Sequence, residues 1–137
     1  MRVLAIDLGS VRTGLALSDV EGVTCSPLPP IVERDRDKTL LRVASVIEER
    51  QVTQVVVGLP RPLRAGTNEH VQQVLDFVER LRGSVQVPVV TWDERFTSKL
   101  AEKARSTRAS LDSVAACYIL QDYLDSLRNQ AAGREGG

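Results

Sequence analysis

Apolar residues recur along this chain in two rhythms. Arg2 to Asp7 and Thr13 to Ser18 are short runs dense in Val, Leu, Ile and Ala, separated by Gly9-Ser10, and predict two strands joined as a hairpin. A proline-rich connection, Pro27 to Pro30, follows, and a third short strand is expected near Pro30-Ile31-Val32. From Asp37 to Arg50 the rhythm changes: Leu40, Val43, Ala44 and Ile47 recur at helical spacing, so one helix face packs on the sheet. Val55-Val56-Val57-Gly58 is apolar without alternation, as in a strand covered on both faces, and Pro60 and Pro62 stop it. Thr67 or Asn68 is suited to cap a helix with apolar positions Val71, Val74, Leu75, Val78 and Leu81, closed by Gly83. Gln86 to Trp92 predicts another strand, ending in Asp93-Glu94-Arg95, after which Thr97 or Ser98 can cap a further helix. The last helix begins near Ser110, and Val114 to Leu120 is apolar on nearly every side, which predicts deep burial.

This order predicts an α/β fold, a mixed five-stranded sheet flanked by helices. With 137 residues and 42% hydrophobic content the chain is large enough for one real core. The expected domain spans residues 1–128, and residues 129–137 read as a flexible tail.

Charge narrows the function classes. Lysine plus arginine and aspartate plus glutamate number 18 each, so no overall field draws the chain onto polyanions or membranes, and nucleic-acid binding must rest on local patches. Cys25 and Cys117 are far apart in sequence, match no metal or redox spacing, and read as reduced, buried thiols of a cytoplasmic protein. No basic-then-apolar leader opens the sequence, and no apolar run approaches the roughly 18 residues of a membrane span.

Three acids stand at predicted element ends: Asp7 closes the first strand, Glu94 follows a later strand, and Asp112 lies in the first turn of the last helix. Open α/β sheets form their crevices at such ends. Carboxylates brought together without matching bases raise one another's pKa unless a cation neutralises them, and Mg²⁺ or Mn²⁺ prefers such oxygen ligands. Blander roles exist for each acid. Asp112 suits the helix dipole, Asp7 an Asx turn, and Glu94 a surface pair with Arg95 or Arg108.

Two basic stretches offer phosphate contacts. Arg61 and Arg64 flank a proline turn, and Arg95, Lys99, Lys103, Arg105 and Arg108 crowd the interval between the second and third acids, where pairing with Glu102 on a solvated helix is the alternative. His70, the one histidine, is in reach of a proton-shuttle role, although an exposed helix position explains it as well. Tyr118 and Tyr123 fit core packing better than base stacking; Trp92 fits either the core or the rim.

Four motifs then fall in register. Asp7-Leu-Gly-Ser-Val-Arg-Thr-Gly-Leu-Ala-Leu-Ser-Asp19, Val57-Gly-Leu-Pro60, Asp93-Glu-Arg-Phe-Thr-Ser98, and Leu111-Asp-Ser-Val-Ala-Ala116 with Ile119-Leu-Gln-Asp-Tyr-Leu124 resemble the YqgF/RuvX family in order and spacing, over almost the whole chain. The resemblance implies the RNase H-like fold, a likeness to RuvC-type Holliday-junction resolvases, and a part in maturing the precursor of small-subunit ribosomal RNA. It implies that Asp7, Glu94 and Asp112 are a catalytic, metal-binding triad using Mg²⁺ or Mn²⁺, with Asp93 second choice for the middle acid. It matches Arg12 to a basic residue of the first hairpin. Between Pro60 and Gly66 the chain departs from the family, reading Arg-Pro-Leu-Arg-Ala without the usual Asn and Asp.

The expected function is metal-dependent hydrolysis of phosphodiester bonds in structured nucleic acid, with pre-16S ribosomal RNA as substrate. Expected substrate-binding residues are Arg12, Arg61, Arg64, Arg95, Lys99, Lys103 and Arg108. Expected partners are ribosomal RNA precursor or branched DNA and a second copy of the chain, with no membrane. The alternatives are a resolvase-like DNA endonuclease, a non-catalytic ribosome-assembly module, which the presence of all three acids argues against, and an ATPase fragment, for which one domain is too small.

Overall fold

A computed structural model of the chain describes residues 1–59, 69–93 and 111–135, with backbone alone at 111–112 and 131–135. Among these residues, β1 (Val3–Asp7), β2 (Arg12–Ser18), β3 (Cys25–Val32), β4 (Gln54–Leu59) and β5 (Val89–Asp93) form one sheet in the order β3-β2-β1-β4-β5. The β1–β2 and β2–β3 pairs are antiparallel and the β1–β4 and β4–β5 pairs parallel, giving the expected mixed sheet. Helices α1 (Arg36–Glu49), α2 (Glu69–Ser84) and α3 (Leu111–Glu135) flank it.

The two faces divide the central strands by alternation. Leu4, Ile6, Val55 and Val57 point to one core with Val43 and Ile47 of α1 and Val74, Phe77 and Val78 of α2. Val3, Ala5 and Val56 point to the other, with Ala116, Ile119, Leu120 and Leu124 of α3. Both faces of β1 and β4 are therefore buried, which is why their sequences show no polar alternation.

The first turn of α1 is capped by Asp35, whose carboxylate accepts from the amides of Asp37 at 2.8 Å and Lys38 at 3.4 Å. The β1–β2 turn depends on Gly9: a Cβ there would lie 2.0 Å from the carbonyl oxygen of Arg12. Only glycine closes that approach.

Several boundaries differ from expectation. Pro27, Pro29 and Pro30 lie within β3 rather than in a connection before it. As the edge of the sheet, β3 needs no amide donors on its outer side, so the prolines are tolerated, and a register irregularity opposite Thr13 to Leu15 relieves the pairing. Gln86 to Pro88 precede β5 instead of starting it, although the carbonyl of Pro88 accepts from the amide of Val55 at 2.9 Å. In α2 the buried stripe is Val74, Phe77, Val78 and Leu81, while Leu75 is exposed and the helix passes Gly83 to end at Ser84. The proposed caps Thr67 and Asn68, and the helix expected after Thr97 or Ser98, lie outside the described residues. The backbone of α3 is helical through Glu135, past Asn129 where the sequence suggested fraying. Among the described residues no helix is long and apolar enough to cross a membrane.

Candidate active site

Asp7 is the last residue of β1 and continues the series Val3, Ala5 that faces α3. Its partner across the β1–β2 pair is Gly14. On the other side β4 runs from Val57, the partner of Ile6, into Gly58. Half-buried Asp7 thus sits between two strand positions without side chains, Gly14 and Gly58. Trp92 of β5 follows Gly58 in the register and packs edge-on against Tyr123 of α3, ring centroids 5.6 Å apart at 74°.

Helix α3 starts at this same edge. The buried hydroxyl of Ser113 donates to the carbonyl of Leu28 at 2.6 Å. Leu28 pairs with Leu15, and Leu15 with Ile6, so the first turn of α3 is level with the residue before Asp7. From there the helix crosses to the amino end of β4, where the Tyr123 hydroxyl accepts from Nε2 of Gln54 at 2.7 Å. Burial raises the pKa of that phenol, and the bond from Gln54 partly offsets it. Tyr123 is a core residue, as its helical context predicted.

The fold therefore brings Asp7 and the backbone of Asp112, second residue of α3, to one edge and one face. Asp93 ends β5 opposite Leu59 at that edge, but the alternation from buried Val89 places it on the α1–α2 face, away from Asp7. Glu94, the first choice for the middle acid, lies outside the described residues, as do Arg61, Arg64, Arg95, Lys99, Lys103 and Arg108. Arg12 opens β2 at this edge and is exposed. His70 is exposed in the first turn of α2.

An oxygen-only donor set of Asp and Glu suits a hard divalent cation. Asp7, with glycine on its flanks, meets that requirement from the described part of the chain. Among the described residues no group of three acidic, histidine or cysteine side chains could hold a metal ion.

Two residues at this edge carry no signal that singled them out beforehand. Arg36, in the first turn of α1, donates from Nη1 to the carbonyl of Gly9 at 2.7 Å. It stands in the run Arg34-Asp35-Arg36-Asp37-Lys38, where nothing separates it from its neighbours. Ser113 lies beside Asp112 in the Leu111–Ala116 motif, but its bond to β3 is visible only in the fold.

Comparison with known proteins agrees with this architecture. The family model RuvX, described as Holliday junction resolvase, matches residues 1–126. A protein of Roseiflexus named "Putative pre-16S rRNA nuclease" is 40% identical over 135 residues, covering 93% of this chain and 96% of its own. One of the same name from Thermoanaerobacter pseudethanolicus is 35% identical over 139 residues, covering 95% and 100%. Among solved structures, RuvC of Thermus thermophilus superposes with a TM-score of 0.65 at 19% identity, covering 94% of this chain and 97% of RuvC. The fowlpox virus resolvase, solved with Holliday junction DNA, gives 0.59 at 13%, covering 93% and 99%. At such identities the likeness speaks for the fold, which is RNase H-like. With a family model spanning nearly all of its length, the chain belongs to the RuvX family.

Proposed function

We propose that the chain is a metal-dependent nuclease that hydrolyses phosphodiester bonds of structured nucleic acid, with pre-16S ribosomal RNA as its substrate. The observation that carries this reading is the meeting of Asp7 and the start of α3 on one face of the sheet's carboxyl edge. Asp7, Glu94 and Asp112 would hold Mg²⁺ or Mn²⁺. When bound, paired ions of this kind activate a water and stabilise the departing oxygen. The chain's own contribution is to orient: Gly14 and Gly58 put no side chain of their own beside Asp7, and exposed Arg12 at the same edge would meet a phosphate. Arg61, Arg64, Arg95, Lys99, Lys103 and Arg108 extend the phosphate contacts along the substrate.

The relatives named for pre-16S rRNA support RNA as substrate. The description of the matching family supports a second reading, cleavage of four-way DNA junctions. Purified protein is incubated with labelled precursor RNA, plain RNA and a four-way junction, each with Mg²⁺, Mn²⁺ or chelator. The proposal expects cleavage of precursor RNA that chelator and Asp7→Asn each abolish. Junction cleavage alone selects the second reading, and binding without cleavage under any metal overturns both.

A further inference from the structure

Cys25 opens the edge strand β3 and Cys117 lies in the second turn of α3. They are separated by 92 positions, yet the thiol of Cys25 donates to the backbone carbonyl of Cys117 at 3.6 Å and approaches Oε1 of Gln121 at 3.8 Å. Both cysteines are free thiols, as expected, but half-buried rather than buried. The Cys117 side chain lowers the pKa of Cys25 to about 7, against burial and the charge of Asp125, while the Cys25 side chain raises that of Cys117. A thiol that ionises near ambient pH is well matched to nucleophilic attack, because thiolate fraction and intrinsic nucleophilicity are balanced there.

We propose that Cys25 and Cys117 are an oxidation site, a dithiol that hydrogen peroxide closes into an intrachain disulfide joining β3 to α3. In the first step the Cys25 thiolate attacks a peroxide oxygen: an S–O bond forms, the O–O bond breaks, and the departing hydroxide takes up a proton as water. In the second, the sulfur of Cys117 attacks the sulfur of Cys25: the S–S bond forms, the S–O bond breaks, and hydroxide leaves with the Cys117 proton as a second water. Two thiols and one peroxide become one disulfide and two waters, with no other reductant or oxidant.

The geometry favours closure within the chain. Both cysteines pack against the core of Val3, Ala5 and Ala116, and the Cys25 thiol already reaches the backbone of Cys117 itself. The bond encloses α1, β4, α2 and β5 in one covalent loop and restrains the unfolded chain accordingly. It also fixes α3 one turn after the residues that bring Asp112 to the sheet edge.

The full-length protein is treated with hydrogen peroxide and followed by thiol titration, intact mass, a non-reducing gel and thermal melting. The expected result is joint loss of both thiols, a mass lower by two hydrogens with no oxygen added, migration as a monomer, and a rise of several degrees in Tm reversed by dithiothreitol. A cross-linked peptide carrying Cys25 and Cys117 identifies the bond in the unmutated chain. Cys117→Ser is expected to stop at a Cys25 sulfenic acid that a dimedone probe traps, and Cys25→Ser to lose the fast reaction. Covalent dimers, sulfinic acid at either cysteine, or two thiols still titratable after treatment would overturn the proposal.

Discussion

The guanidinium of Arg36 and the carbonyl of Gly9 meet at 2.7 Å across a separation of 27 residues. This bond ties the start of α1 to the hairpin turn two residues beyond Asp7. The turn has little freedom of its own, because Gly9 already approaches Arg12 too closely for any side chain. Arg36 also lines the groove between α1 and α2 with Gln73, Asp76, Phe77 and Arg80, and Arg80 pairs with Asp37 across it. Burial lowers the pKa of Arg36, yet a guanidinium stays protonated in proteins, so the bond is charge-assisted.

Arg36→Ala is accordingly expected to cost about 1–2 kcal/mol, at or below the low end of the range of about 1.5–3 for bonds to charged groups, since the side chain is partly solvated. Denaturant unfolding measures the loss. Hydrogen exchange locates it: amides of the Gly9 to Arg12 turn speed up while those of β4 do not. Uniform exchange across both regions would mean that Arg36 stabilises the α1–α2 packing and not the turn.

Ser113 anchors the first turn of α3 to β3 by a bond whose donor is almost fully enclosed. Ser113→Ala leaves the Leu28 carbonyl without that donor, and the expected cost is about 1–3 kcal/mol. Because the lost contact sits beside Asp112, cleavage should fall more than stability predicts. If activity at a temperature well below Tm matches the parent chain, the anchor holds the helix but does not position the acid.

Sequence reasoning was strongest where one physical cause dominates. β1, β4 and α1 follow from unbroken or 3.6-periodic apolar runs, and their bounds agree to within a residue or two. It placed the end of β3 but missed its first half, because proline is read as a breaker unless the strand is known to be an edge, and edge position is a property of the whole sheet. On α2, Leu75 of the apolar period is exposed while Phe77 outside it is buried, because periodicity cannot rank two overlapping stripes. The place of Asp7, at the end of β1 before a glycine turn, was legible as well. The partnership of Cys25 and Cys117 was not, since 92 positions of chain separate residues that only the packing of α3 on β3 brings together.

Two aspartates are expected to move stability with pH in opposite senses. Asp19 accepts from the amides of Val23 at 2.8 Å and Thr24 at 3.3 Å, which lowers its pKa below 3.8. Its contribution is present above the unfolded pKa and is lost as pH falls through the folded one. Asp122 is raised, first by burial and then by the charge of Asp125, so its ionised form is less at home in the folded chain. Its contribution is present below the unfolded pKa and is lost as pH rises through the folded one. Asp122→Asn should therefore stabilise the protein at neutral pH, with the gain shrinking as pH falls through the raised folded pKa and gone below 3.8. Paired unfolding curves from neutral to acid pH decide it, and destabilisation at neutral pH would show that Asp122 is held by contacts that outweigh its burial.

Binding of a divalent cation to the proposed triad has a thermal signature that depends on Asp7. A cation that binds only the folded chain stabilises it by mass action, about 2.7 kcal/mol at roughly 100 times the dissociation constant, which a melting scan resolves easily. Under the proposed reading Asp7 shares its edge with Glu94 and Asp112, and removal of one negative charge relieves repulsion in the metal-free protein. Asp7→Asn should then melt higher than the parent chain without metal and respond less to added Mg²⁺ or Mn²⁺. Those two changes have opposite signs and arise from a single substitution, a combination that a purely turn-forming aspartate does not produce. A lower Tm without metal together with an undiminished metal response would place the cation elsewhere, leave Asp7 as a strand-ending residue of the β1–β2 turn, and favour the non-catalytic module over the nuclease.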